Sequence, residues 1–190
     1  MFEIIDSTIV DGNPVIMMRL TDSDYSRSMW MHEFEYVYTV ELCERSLNTR
    51  VEVRNTGSDA FEFTGALHSY FAATDISTVR VNGLRGLRFL DKVADPMNPT
   101  EKVSDAESLS IESAVDSVFL DAPSLLSIET GHSTQLELES ASGWKDAVVW
   151  SPWTAMENCY KEFVCVENAM VRPSSLAPGD SFVAEMSIRA

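Results

Sequence analysis

Residues 33–42 read EFEYVYTVEL: Phe34, Tyr36, Tyr38 and Val40 alternate with Glu33, Glu35, Val37, Thr39 and Glu41. A period of two sends successive side chains to opposite faces, the pattern of a half-buried β-strand. The signal repeats on both sides. Residues 14–20 (PVIMMRL) follow a DGN turn, residues 50–54 (RVEVR) stop at Asn55-Thr56-Gly57, and residues 78–81 stop at the turn dipeptide Asn82-Gly83. Further strands are expected over 60–71, 117–120, 125–129, 135–139, 147–150, 163–166 and 182–188. The polar, proline-containing stretch 95–110 reads as a long loop, and residues 154–161 as the one short helix. Many short antiparallel strands joined by turns predict an all-β sandwich or barrel. No repeat or linker divides the chain, so residues 1–190 read as one domain. The first residues already read as a strand with nothing before them to cover it, which predicts an open sheet edge or an uncovered apolar face.

The chain has 190 residues, of which 45% are hydrophobic and 23% charged, a globular balance. Arg and Lys number 14 against 30 Asp and Glu, a net charge of −16. Such a field repels nucleic-acid backbones and anionic membrane surfaces, and neither is expected as a partner. It also means that a phosphorylated ligand would need a local cluster of cations. Cys43, Cys159 and Cys165 follow no C-x-x-C spacing and leave at least one thiol unpaired, which fits a reducing, cytoplasmic compartment. The N-terminus lacks the pattern of a signal peptide, and no stretch approaches the about 18 apolar residues of a membrane helix.

Three segments carry chemistry. In Gly65-Ala66-Leu67-His68-Ser69-Tyr70-Phe71 a histidine stands among apolar and aromatic neighbours in an expected strand. Such an imidazole titrates near neutral pH and suits general acid–base work, or else it is a hydrogen-bonded core residue. In Phe163-Val164-Cys165-Val166-Glu167-Asn168 a carboxylate ends an apolar strand, either paired in a site or exposed at a turn. In Val148-Val149-Trp150-Ser151-Pro152-Trp153 two indoles bracket a rigid bend, fit for stacking on a sugar ring or for packing. The nucleophile-elbow, P-loop, dinucleotide-binding and zinc-helix motifs are absent. His32, His68 and His132 are too scattered to predict a metal site. Asp22 and Asp24 lack the downstream residues of a calcium loop and read as a turn.

Taken in order, these stretches resemble the glucose-6-phosphate 1-epimerases, the hexose-6-phosphate mutarotases that include the apospory-associated protein C-like proteins. The matching residues are 20–24 (LTDSD), 30–34 (WMHEF), 51–57 (VEVRNTG), 66–71 (ALHSYF) and 76–92 (ISTVRVNGLRGLRFLDK). They continue with 148–153 (VVWSPW), 164–167 (VCVE) and 176–179 (LAPG). Eight motifs in register span nearly the whole chain.

The resemblance implies a galactose-mutarotase-like β-supersandwich and anomer interconversion of glucose 6-phosphate, or a related hexose 6-phosphate, with no cofactor and no metal. It implies that His68 protonates the ring oxygen while Glu167 takes the proton of the anomeric hydroxyl, and that Asp116 holds sugar hydroxyls. The sequence departs from the family pattern at Ser117 and Phe119, where Arg and Tyr are usual after the aspartate, at Ser151 for Asn and at Met31 for Pro. It also implies a preceding segment with an H-G-F-x-R motif and phosphate-gripping arginines, so that these residues read as the C-terminal two-thirds of the family domain. A catalytically impaired carbohydrate-binding protein, or a truncated gene product, is the alternative.

Overall fold

The computed structural model describes all 190 residues, and antiparallel strands account for nearly all its regular structure. The chain opens with β1 (Glu3–Val10), β2 (Asn13–Thr21), a short helix α1 (Asp24–Met29), β3 (Phe34–Leu42) and β4 (Ser46–Asn55). It continues through β5 (Phe61–Leu67), β6 (Tyr70–Ala72), β7 (Arg80–Asn82), β8 (Arg88–Asp91), β9 (Thr100–Val103) and β10 (Ser108–Ser110). Then come β11 (Val115–Phe119), β12 (Leu125–Glu129), β13 (Leu136–Ser142), β14 (Asp146–Ser151), β15 (Phe163–Leu176) and β16 (Ser181–Arg189). The residues pack as two compact units. One is Met1–Thr64 with Ala141–Gly143 and Arg172–Arg189, the other Gly65–Ser140 with Trp144–Val171 and Ala190.

In the first unit β1, β2, β3, β4 and β16 lie side by side in that order. The strand expected over residues 33–42 is β3, half-buried from Phe34 to Glu41: Tyr36 stands opposite Val53 and Tyr38 opposite Val51, and both valines are buried. Strand β1 pairs with β2 alone, with a register shift between Ile4 and Asp6, and it is exposed along its whole length, Ile4, Ile5, Ile9 and Val10 included. The turn expected at Asp22 and Asp24 is instead α1. Ser23 and Ser26 close a capping box, and Arg27 ion-pairs with both Asp22 and Asp24.

In the second unit β13-β12-β7-β10 form one run of strands and β15-β14-β11-β8-β9 another, with β6 paired to β15. Val79, Val81, Leu126, Ile128, Leu138, Val149, Val164 and Val166 make its core. The Asn82-Gly83 turn ends β7 as expected. Gly83 has φ +99°, and a Cβ there would sit 3.1 Å from the Leu126 side chain.

Two further expectations are corrected. The long loop of residues 95–110 holds β9 and β10, and β8, which the sequence did not announce, pairs with β9. Residues of β9 are all exposed, so no buried face imposes alternation on them. The helix expected over 154–161 is two 3-10 turns, Trp153–Met156 and Tyr160–Glu162.

Candidate active site

Strand register assembles the site, all of it within the second unit. Trp150 on β14 faces Asp116 on β11 and Cys165 on β15, and Cys165 faces Tyr70 on β6. One step along, Val148 faces Val118 and Glu167. Because paired residues share a sheet face, Asp116, Trp150, Glu167 and Tyr70 all project from the same side. The Lys92 amide donates to the Asp116 carbonyl at 2.8 Å and carries the β8–β11 ladder one residue past β8, which brings Lys92 onto this face as well.

His68 stands in the break between β5 and β6, not inside one strand over 60–71. The Ser69 amide donates to the Leu67 carbonyl at 2.9 Å, a tight three-residue turn that releases His68 from the ladder. Its Nδ1 lies 3.2 Å from the Glu167 Oε1. The pair is asymmetric: the imidazole side chain is 50% exposed and the carboxylate 7%. The two functional groups are therefore in direct contact in this structure, and the imidazole edge bearing Nε2 points away from the carboxylate. Tyr70 stacks on the imidazole at 4.8 Å and 10°, and Trp150 meets it edge-on at 5.6 Å. Phe163 backs both, 5.2 Å from Tyr70 and 6.2 Å from Trp150. The imidazole is thus held by flat partners and one charge.

Burial raises the Glu167 carboxyl above its ordinary range. The His68 charge opposes this, Asp116 adds to it, and Lys92 opposes it again. Next to it, burial and the glutamate charge push the Cys165 thiol up to about 12. No group of three His, Cys, Asp or Glu side chains is gathered as a metal site.

Of the residues anticipated from sequence, His68, Glu167, Asp116 and Trp150 come together and Trp153 does not. Trp153 adopts φ +51° and packs on Tyr160 at 5.0 Å. Ser117 and Phe119, the departures after Asp116, alternate with it along β11 and are buried. Ser151 is fully buried with its hydroxyl unpartnered. Sequence reasoning assigned no role to Tyr70 or Lys92. Tyr70 had a signal, two residues from His68 beside a strand; Lys92 had only its place at the end of the matching stretch 76–92.

These features define an antiparallel all-β protein whose sheet face carries an imidazole–carboxylate pair walled by aromatic rings. The chain belongs to the aldose 1-epimerase family, whose pattern matches residues 1–189. It is 34% identical over 187 residues to a proposed glucose-6-phosphate 1-epimerase of Cenchrus ciliaris, covering 92% of this chain and 55% of that one. It is 30% identical to a proposed glucose-6-phosphate 1-epimerase of Escherichia coli K12, covering 81% and 52%. It spans about half the length of these relatives. Among solved structures, a proposed mutarotase of Salmonella typhimurium superposes with a TM-score of 0.86 at 24% identity, over 99% of this chain and 64% of that one. A proposed aldose 1-epimerase of E. coli K12 superposes with 0.76 at 14% identity, over 96% and 67%. The fold is the galactose-mutarotase-like one anticipated from sequence.

Proposed function

We propose that this chain carries the acid–base half of a hexose-6-phosphate mutarotase and interconverts the α and β anomers of glucose 6-phosphate or a close relative, without a cofactor. The contact between His68 and Glu167 carries the reading. One partner is dry, the other reachable, and both share a face with aromatic rings fit to stack on a pyranose. On substrate binding the pair exchanges its mutual contact for two substrate oxygens. His68 gives its proton to the ring oxygen while Glu167 takes the proton of the anomeric hydroxyl, so the C1–O5 bond breaks and an aldehyde forms. Rotation about C1–C2 and the reverse transfers close the other anomer and restore both groups. Asp116, on the same face, accepts from sugar hydroxyls. Three free cysteines, one fully buried, support a reducing compartment.

The test is anomerisation of freshly dissolved α-glucose 6-phosphate, followed by polarimetry or NMR. Glu167→Gln and His68→Ala should each lower kcat/KM about a hundredfold or more, the usual weight of positioned general acid–base groups. Wild-type rates in either variant would refute the mechanism. A second reading, a carbohydrate-binding protein with little turnover, draws on the span of about half the relatives' length. An inactive chain that still binds glucose 6-phosphate would favour it.

A further inference from the structure

The arginines of residues 76–92 do not reach this face as free charges. Arg85 ion-pairs with Glu107, Arg88 with Glu101 at 3.1 Å, and Arg80 donates to the carbonyls of Ser77 and Val79. Lys102 is held by Asp91 at 2.6 Å. Lys92, one residue on, is half-buried and makes neither an ion pair nor a side-chain hydrogen bond. An unpartnered cation on a face that carries two carboxylates, Asp116 on the next strand and Glu167 two strands further, calls for an explanation.

Its position supplies one. The strand order β15-β14-β11-β8 places Lys92 three strand spacings from Glu167, about 14 Å between backbones. Asp116 and Trp150 stand between them on the same face. The Lys92 charge acts on the Glu167 carboxyl across this span, which leaves room for one hexose bearing a further group. The molecule carries a net −16, and Glu167 and Asp116 add to that field locally, so an anionic substituent has a place on this face only beside a cation.

We infer that Lys92 is a specificity-determining residue of this site, holding an anionic substituent, such as a phosphate ester, on the sugar carbons remote from the anomeric centre. The inference rests on the acid–base reading for where the anomeric centre lies. A phosphoryl group there replaces the water around the ammonium with charge-assisted hydrogen bonds. A neutral hexose gains only an ordinary hydrogen bond from the same lysine. Lys92 therefore governs preference between substrates without itself exchanging a proton with them.

The measurement is binding of glucose 6-phosphate and of glucose to the full chain, by calorimetry or NMR titration, in wild type, Lys92→Gln and Lys92→Arg. The expected result is a wild-type preference for the phosphate ester that falls at least tenfold in Lys92→Gln and is largely kept in Lys92→Arg. The preference should also shrink as salt rises. A lysine that merely supports the fold would weaken both ligands alike, and that outcome overturns the assignment. So does an unchanged preference in Lys92→Gln, or a wild-type chain that does not prefer the ester. Because the readout is binding, full turnover in Glu167→Gln with the Lys92 effect intact would count against the acid–base mechanism and not against this residue.

Discussion

A glutamate on a dry sheet face is a stronger base at neutral pH than one in water, because burial penalises its charged form. Glu167 is in that position, and the groups facing it come from every neighbouring element: His68 between β5 and β6, Tyr70 on β6, Asp116 on β11, Lys92 after β8, and Cys165 on its own strand. The sign of the pH dependence follows. In the proposed reaction Glu167 must be ionised, and its pKa is raised, so the acid limb of kcat/KM should lie above the ordinary 4.5, with activity lost as pH falls through it. Asp116→Asn removes a charge that raises this pKa and should move the limb to lower pH. Lys92→Gln removes one that lowers it and should move the limb up. A pH–rate profile of the three proteins checks this, and a limb that ignores both substitutions would contradict the electrostatics. At this scale the sequence was informative where a polar side chain interrupted an apolar run, as His68 and Glu167 do. It gave no role to Lys92, which closes the matching stretch 76–92 and reaches the face of Asp116 only through the ladder between β8 and β11.

Elements with one buried face were the legible ones. Strand β4 alternates, with Val51 and Val53 buried and Arg50 and Glu52 half-buried between them, whereas β3 is half-buried from Phe34 to Glu41. Strand β15 was visible for only four of its 14 residues. Residues Val164–Met170 are buried on both faces, so no alternation marks them, and the expected strand stopped at Val166, before Glu167. The four-residue β8, the exposed β9 and the capped six-residue helix α1 left too little periodicity to read. The connection closing β13 offers a sharp test. Gly143 has φ +75°, and a Cβ there would lie 2.4 Å from the Val183 carbonyl oxygen and 2.5 Å from the Ala184 Cβ. Neither neighbour is the end of a flexible side chain, so backbone must move. Gly143→Ala should cost about 1–3 kcal/mol for the backbone conformation alone, with the clash added. Urea unfolding of the two proteins measures it, and a stability loss below about 0.5 kcal/mol would mean the turn relaxes freely.

Across the whole molecule, charge is the outstanding property, with 30 acidic against 14 basic side chains. Many of the cations are already committed locally. Arg19, Arg27, Arg50, Arg85, Arg88 and Lys102 each sit against one or two carboxylates, so the excess acids repel one another with few cations left between them. Surface pairs of this kind are worth about 0–1 kcal/mol each, so screening them loses little. Self-repulsion of the unpaired carboxylates acts over longer distances and should respond more to salt. Raising sodium chloride from about 0.01 M to about 0.15 M shortens the screening length from about 30 Å to about 8 Å, less than the width of either unit. The folded state holds these charges closer together than the unfolded chain does, so it gains more from screening. The thermal midpoint should therefore rise with salt over this range. A gain of 1 kcal/mol corresponds to about 2–4 °C for a chain of this size. Scanning calorimetry across the salt series decides the matter: a midpoint that falls with salt would show that the local ion pairs, and not the net charge, dominate the electrostatics of this fold.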